Sequence, residues 1–144
     1  YYGCTVCQLD MRRLKEQYEE LTAAGAKALV VLQSAPEGIR EQIGADAFPF
    51  EIICDPEQQL YKQYHVAPAL SMEKMADLQM LKKMGAARAA GLTHGAYEGN
   101  ELQLPAIFLV EPGLTVKRAH YGTTPADLPD VSQMAGWLKD KEEN

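Results

Sequence analysis

The chain opens with the stretch Gly3-Cys4-Thr5-Val6-Cys7-Gln8-Leu9, in which two cysteines stand three residues apart. Apolar residues then recur at intervals of three and four up to Leu21, with charged residues between them, and Gly25 follows. This pattern predicts an amphipathic helix over 9–24 that ends at a glycine. The cysteine pair therefore stands at a helix start, where unpaired N–H groups and positive potential favour a thiolate.

Helices and short apolar strands alternate along the rest of the chain. Strands are predicted at 28–32, 50–54, 106–110 and 116–121, and helices at 36–43, 56–66, 72–90 and 130–139. The strand at 28–32 is a continuous apolar run, which predicts burial on both faces. The last two strands are joined by the turn Glu111-Pro112-Gly113 and should form a hairpin. We predict an α/β sandwich with a mixed sheet.

No strand is predicted ahead of the first helix. Only Tyr1-Tyr2-Gly3 precede Cys4, whereas right-handed strand–helix–strand connections place a strand at that point. We therefore expect that the sequence lacks a native N-terminal segment that carries a central strand. Residues 1–144 are predicted to be one domain, with a helical insertion at 71–102 and a solvated tail at 139–144.

Composition excludes several classes of protein. Fourteen Lys and Arg against twenty Asp and Glu give a net charge of −6, which argues against a nucleic-acid binder or a basic membrane-surface module. No apolar run is long enough for a transmembrane helix. Three cysteines are too few for a disulfide-stapled secreted domain. These observations predict a globular protein of the cytoplasm.

The spacing of Cys4 and Cys7 suits thiol chemistry. The outer sulfur at the helix end would attack a disulfide or peroxide, and the inner sulfur, one turn further along, would resolve the product. Two other interpretations stay open. The pair could be half of a zinc site completed by Cys54, His94 and His120, or two small apolar side chains paired by chance. Cys54 ends an apolar strand and is expected to be a buried, inert thiol.

Several stretches together resemble a known family. The cysteine stretch and its helix resemble the redox helix of the thioredoxin-like superfamily. Phe50-Glu51-Ile52-Ile53-Cys54-Asp55-Pro56, Leu60-Tyr61-Lys62-Gln63-Tyr64-His65-Val66 and Leu104-Pro105-Ala106-Ile107-Phe108-Leu109-Val110 are similar to segments of its peroxiredoxin-like branch, the alkyl hydroperoxide reductase/thiol-specific antioxidant (AhpC/TSA) group. The resemblance runs in order from Tyr2 to about Leu138.

This resemblance implies a thioredoxin-like three-layer α/β/α sandwich, in which the absent strand would be the middle one of five. It also implies that Pro105 is a cis-proline that faces the cysteines and turns backbone toward a docked substrate. An ordinary proline at a strand start is the alternative. Thr5, Leu104 and Pro105 are accordingly predicted to bind substrate, although Thr5 would serve equally as a helix cap.

The chain also departs from the group's pattern. Peroxiredoxins usually carry Pro and Thr or Ser ahead of the attacking cysteine, where this chain has Tyr-Tyr-Gly, and Pro105 occupies the position that often holds an orienting arginine. Arg12, Arg13 and Arg118 are candidate substitutes. Fast peroxidase activity is therefore not expected.

The segment 71–102 is the distinctive part of the sequence. It holds four of the six methionines, Met72, Met75, Met80 and Met84, which suit an adaptable apolar surface. We expect its helix to pack on the core, with a cap over the site or a partner surface as the alternative. The following glycine-punctuated stretch 93–99 runs toward Pro105 and could bring His94, Tyr97 or Glu98 beside the cysteines. A solvent-exposed loop is the alternative for this stretch.

The resemblance implies an antioxidant enzyme that reduces disulfides or hydroperoxides through a Cys4–Cys7 dithiol/disulfide cycle, with no metal or organic cofactor. Its partners would be a hydroperoxide or disulfide substrate and an external dithiol of thioredoxin or glutathione type. We expect no nucleic-acid or membrane partner, and a homodimer is compatible with the sequence. The alternative is a non-catalytic binding module or redox switch of the same fold.

Overall fold

Residues 1–140 are the part of the chain that the computed structural model describes. They form seven helices and four strands: α1 (Thr5–Glu16), α2 (Tyr18–Ala23), β1 (Leu29–Leu32), α3 (Pro36–Gln42), β2 (Glu51–Cys54), α4 (Gln59–Gln63), α5 (Met72–Met75), α6 (Leu78–Ala89), β3 (Ala106–Val110), β4 (Val116–Tyr121) and α7 (Val131–Lys139). The predicted mixed α/β class is confirmed. Most of the tail predicted at 139–144 lies outside the described residues.

The strands form two separate sheets. β1 and β2 pair in parallel, with Leu29 opposite Glu51 and Leu32 opposite Cys54, as predicted. β3 and β4 form the predicted antiparallel hairpin, with an irregularity in register near Val110. Within the described residues no ladder joins the two pairs, so the single mixed sheet is corrected to two sheets. Residues 1–4 form a turn instead of a strand and supply no ladder between the pairs. The absent middle strand stays a prediction.

The helix predicted at 9–24 is in fact two helices. α1 begins at Thr5, and α2 follows after a break at Gln17. The break coincides with an anchor at Tyr18, whose hydroxyl accepts the Ala28 N–H at 3.0 Å and whose ring meets the Phe50 ring edge-on. Tertiary contacts of Tyr18 thus accompany a break that the periodicity of the sequence does not reveal.

The helix predicted at 72–90 is also divided. The Ser71 hydroxyl caps α5, and the Asp77 carboxylate accepts the Met80 N–H at 2.7 Å to cap α6. A second cap inside the predicted helix starts a new helix because its side chain satisfies the first free N–H groups. The ends of the segment 71–102 are held together at its base, where the Ala69 N–H donates to the Leu102 carbonyl at 2.7 Å.

Two apolar clusters hold these elements together. One lies around Met11, Leu32, Ile39 and Phe50, and the other joins α2 to α7 through Leu21, Val131 and Ala135. Leu29 is 52% exposed, so the prediction that strand 28–32 is buried on both faces is wrong at Leu29. No helix within residues 1–140 has the length and apolar character needed to cross a bilayer.

Candidate active site

Cys4 and Cys7 lie on one turn at the start of α1. Cys4 is the N-cap residue, in extended conformation, and Cys7 is the third residue of the helix. Both side chains are partly buried free thiols, and the first turn of α1 carries no acidic residue. The positive end of the helix is therefore not neutralised by a carboxylate of its own first turn.

The two cysteines have opposite acidities. Hydrogen bonding from the Cys7 thiol, against the effect of burial, lowers the pKa of Cys4 to about 6, and the Cys7 N–H, the charge of the Tyr1 amino group and the Val6 N–H contribute less. The Cys4 side chain accepts no capping hydrogen bond of ordinary geometry from these N–H groups, so the N–H dipoles act on the Cys4 sulfur electrostatically. The pKa of Cys7 is raised well above its ordinary value, because its thiol donates to Cys4 and because it is buried. Near neutral pH the pair therefore carries its negative charge on Cys4.

Two further side chains lie in electrostatic contact with Cys7. Asp10, one turn further along α1, raises the pKa of Cys7. Tyr61 donates its hydroxyl to the Val31 carbonyl at 3.2 Å, and burial followed by the charge of Cys7 raises the pKa of Tyr61. Neither residue was predicted at the site. The position of Asp10, three residues after Cys7 on the same helix, was the available signal.

Asp10 forms a partly buried ion pair with Lys83 of α6. The Lys83 Nζ lies 2.7 and 2.8 Å from the two Asp10 carboxylate oxygens and donates to the Pro125 carbonyl at 2.9 Å. Lys83 is 9% exposed. Burial raises the pKa of Asp10, and the Lys83 charge opposes that effect. The pair holds α6 of segment 71–102 against α1, so this helix packs on the rest of the domain at α1.

Residues 93–100, here called the strap, cross the start of α1. The Gly95 N–H donates to the Gly3 carbonyl at 2.8 Å, and the Gln8 side-chain amide donates to the carbonyls of Gly3 and Thr93. A Cβ on Gly3 would lie 2.2 Å from the Ala96 carbonyl oxygen. Only a glycine next to Cys4 allows this approach, because any side chain would meet strap backbone.

The strap brings His94 and Tyr97 to Tyr1. The Tyr1 hydroxyl and the His94 Nε2 are 3.0 Å apart, and the rings of His94 and Tyr97 stack with centroids 4.0 Å apart. Glu98 instead turns to the start of α3, where it accepts the Ala35 N–H at 3.0 Å. Of the three strap residues that the sequence singled out, His94 and Tyr97 are therefore the two beside the cysteine turn.

The structure shows where the residues predicted to bind substrate lie, but not what they bind. Thr5 is the first residue of α1, immediately after Cys4. Pro105 precedes β3, and its carbonyl accepts the Gly122 N–H at 2.8 Å. No cis peptide bond occurs among the described residues, so the predicted cis-proline is wrong and Pro105 is in trans. The hydrogen bond to Gly122 ties Pro105 into the loop after β4. The roles of Thr5, Leu104 and Pro105 in binding stay predictions.

The residues of the alternative zinc site have separate partners. His94 pairs with Tyr1, and His120 pairs with Asp127 at 3.0 Å. Cys54 ends β2 and is partly buried, with a pKa raised by burial and lowered in part by Arg40. No group of three His, Cys, Asp or Glu side chains with metal-binding geometry occurs in residues 1–140.

Two of the candidate orienting arginines are engaged away from the cysteines. Arg12 pairs with Glu16 and donates to the Ala90 carbonyl at 3.1 Å. Arg118 lies over the Trp137 ring, with its guanidinium carbon 4.7 Å from the ring centroid, and pairs with Asp140. Arg13 lies in the last turn of α1. Its charge opposes the rise that burial causes in the pKa of Asp10.

Comparison with protein families gave a match over most of the chain. A family model described as AhpC/TSA antioxidant enzyme matches residues 13–124. The matched segment starts within α1, after the cysteine turn, and ends after β4, so it includes both sheets and the strap. Comparisons with curated proteins and with solved structures gave no match.

Proposed function

The chain belongs to the AhpC/TSA antioxidant enzyme family, and we propose that it is a thiol oxidoreductase that reduces hydroperoxides or disulfides through Cys4 and Cys7. Membership carries a thiol-based antioxidant function in general. The cysteine pair lies outside the matched segment, so its role is supported by its own geometry.

The observation that supports the proposal most strongly is the opposite acidity of the two cysteines. A pKa of about 6 leaves Cys4 mostly ionised at neutral pH, and the thiolate is the form that attacks peroxides and disulfides. The raised pKa of Cys7 keeps its proton on the resolving sulfur until Cys4 has reacted. An outer nucleophile and an inner resolving thiol on one helical turn suit a dithiol cycle.

The proposed cycle conserves atoms and electrons. The Cys4 thiolate attacks the distal oxygen of a hydroperoxide, the O–O bond breaks, and Cys4 sulfenic acid and an alcohol form after one proton is taken up. The Cys7 thiol then displaces hydroxide, which leaves as water, and the Cys4–Cys7 disulfide forms. An external dithiol of thioredoxin or glutathione type reduces this disulfide. With a disulfide substrate the first step gives a mixed disulfide and a free thiol instead.

Thiol titration before and after one equivalent of hydrogen peroxide tests the cycle. We expect the wild-type chain to lose two thiols, and Cys4→Ser and Cys7→Ser each to form no intramolecular disulfide. Cys54→Ser is the matched control and should still lose two thiols, because Cys54 lies at the end of β2, outside the cysteine turn.

Retention of all three thiols after peroxide and after a small aromatic disulfide would contradict the proposal. That result would favour the alternative of a non-catalytic binding module or redox switch. Loss of two thiols that persists in Cys7→Ser would assign resolution to another thiol and remove Cys7 from the cycle.

A further inference from the structure

A cavity of about 280 Å³ lies along α1 and has no part in the cycle described so far. Its volume is near the lower end of the range for small-molecule pockets. Side chains from α1, from the turn before it, from the loop ahead of β2 and from the segment after α6 surround it. Those that bear on ligand binding are Tyr2, Gln8, Arg12, Lys15, Phe48 and Leu92. We call it the α1 cavity.

One face of α1 connects the α1 cavity to Cys4. Gln8, Arg12 and Lys15 follow one another at spacings of four and three residues, which places their side chains in one row along the helix. The Gln8 N–H donates to the Cys4 carbonyl at 3.0 Å, so Gln8 lies one turn beyond Cys4. On the other side of Cys4, Tyr2 also lines the cavity. One end of the α1 cavity is therefore one helical turn from the attacking cysteine.

The charged side chains of the α1 cavity are both cations. Arg12 donates to the Ala90 carbonyl at 3.1 Å and lies 3.4 Å from the Glu16 carboxylate, in a pair exposed on both sides. The Lys15 Nζ lies 5.7 Å from the centroid of the Phe48 ring, and no carboxylate of residues 1–140 is within ion-pair distance of it. Among the described residues that line the cavity, none is acidic. The α1 cavity is thus locally positive in a chain whose net charge is −6.

The uncharged part of the α1 cavity has a fixed aromatic wall. The rings of Tyr2 and Phe48 meet edge-on, with centroids 6.3 Å apart, and Phe48 stacks on Phe50 at 5.3 Å. The Tyr2 N–H donates to the Ser34 hydroxyl at 2.9 Å, which holds Tyr2 in place. Leu92 adds an aliphatic surface. A wall of this kind accepts a flat or apolar group without having to be ordered first.

We propose that the α1 cavity binds the distal part of the substrate, and that this part is an apolar body that carries a carboxylate. The inference rests on the proposed function, since it requires Cys4 to be the attacking thiol. The helical rise places Arg12 about 12 Å along the axis from Cys4. That separation is too long for Arg12 to orient a peroxide at the sulfur, but it suits a carboxylate several bonds from the reacting atom. Arg12 and Lys15 bind this carboxylate, and the aromatic wall contacts the body.

A matched pair of aromatic disulfides tests the charge preference. Bis(4-carboxyphenyl) disulfide and its dimethyl ester share one skeleton, and only the diacid is anionic. In both reactions the Cys4 thiolate bonds to one sulfur, the S–S bond breaks, and the other half leaves as an aromatic thiolate. Since both begin with the same thiolate, a change in the acidity of Cys4 or in the fold affects them equally.

We expect Arg12→Gln/Lys15→Gln to lower the second-order rate constant of Cys4 with the diacid by about 10-fold, or about 3-fold for each cation. The rate constant with the ester should change by less than about 2-fold. Lys27→Gln/Lys82→Gln is the matched control, because it changes the net charge equally at two exposed lysines outside the α1 cavity. It should leave both rate constants near those of the wild type. Added salt should slow the diacid in the wild type much more than in Arg12→Gln/Lys15→Gln.

Ligand binding to Cys4→Ser tests the cavity without thiol chemistry. In NMR titrations, 2-naphthoate should shift the resonances of Gln8, Arg12 and Phe48 in a saturable way. Acetate lacks the apolar body and 2-naphthalenemethanol lacks the charge, so each should bind at least about 10-fold more weakly. Acetate that binds as tightly as 2-naphthoate would contradict the role of the aromatic wall.

Three further results would overturn the inference: an equal loss with diacid and ester in Arg12→Gln/Lys15→Gln, no loss with either, or 2-naphthoate shifts that lie outside the α1 cavity. If both disulfides react at Cys4 and neither depends on the two cations, the thiol chemistry stands and only the inference fails. If neither disulfide nor hydrogen peroxide reacts at Cys4 while 2-naphthoate still binds, the proposed function fails, and the part of the cavity in substrate selection fails with it.

Discussion

The acidity of Cys4 should depend on the thiol of Cys7, and Cys7→Ala tests this dependence. The pKa of Cys4 is about 6, against about 8.5 for an ordinary thiol. At about 1.4 kcal/mol for each pH unit, the difference corresponds to roughly 3–4 kcal/mol in favour of the thiolate. Hydrogen bonding from the Cys7 thiol is the largest cause, and a hydrogen bond to a charged group contributes about 1.5–3 kcal/mol.

We therefore expect Cys7→Ala to raise the pKa of Cys4 by about 1–2 pH units, to roughly 7–8. The remainder should persist, because alanine keeps the residue 7 N–H group that also faces the sulfur. The assay is the rate of Cys4 alkylation by iodoacetamide as a function of pH, with the modified residue identified by mass spectrometry. Cys54→Ala is the control and should leave the midpoint at about 6.

A midpoint that stays near 6 in Cys7→Ala would refute this reasoning. It would assign the acidity of Cys4 to the N–H groups of the helix start and the charge of the Tyr1 amino group rather than to its partner thiol. A midpoint that rises fully to about 8.5 would show that the N–H groups contribute nothing measurable.

Two further predictions concern the contacts that surround the cysteine turn. Gly3→Ala should lower the free energy of unfolding by about 1–3 kcal/mol, because its Cβ would meet the Ala96 backbone; Gly113→Ala, which meets nothing within 4 Å, should change it by less than about 0.5 kcal/mol. Urea unfolding checks both, and equal stabilities would show that the strap does not approach Gly3. Lys83→Met should lower the free energy of unfolding by about 2 kcal/mol and Tm by roughly 4–8 °C. The expected loss is below the usual range for a buried pair because the Asp10 side chain is 32% exposed. Exposed Lys82→Met is the matched control, and a Tm equal in the two variants would contradict a stabilising ion pair.

The parts of the fold that were predicted correctly are those that local sequence determines. Three of the four strands are short, mainly apolar runs, and β4 follows the turn at 111–113; each strand lies within one residue of its predicted limits. The helix break at Asp77 also had a local signal, since aspartate is a preferred N-cap, but the unbroken apolar pattern obscured it. The break at Gln17 has no such signal, because it accompanies contacts of Tyr18 with residues that follow later in the chain.

The same distinction holds at the site. The cysteine turn is local, so its position at a helix start could be predicted from the spacing of residues 4–21. The partners Lys83 and His94 are separated from Asp10 and Tyr1 by 73 and 93 residues, and no periodicity relates such pairs. The sequence also does not distinguish a buried lysine from an exposed one. Lys82 and Lys83 are adjacent on α6, but Lys82 is exposed and Lys83 is buried because they face different sides of the helix.

The asymmetry of the cysteine pair follows from its position on a single helical turn. Cys4, outside the first turn, faces the free N–H groups and meets no carboxylate in that turn, so negative charge is stabilised there. Cys7, three residues further along, donates its thiol hydrogen to Cys4 and is buried, and both effects raise its pKa. The Cys4 charge and, more weakly, the Asp10 carboxylate raise it further. Lys83 limits the effect of Asp10, because its ammonium group lies 2.7 Å from the Asp10 carboxylate and offsets its charge. Removing Lys83 should therefore raise the pKa of Cys7 further and slow resolution, while attack by Cys4 continues.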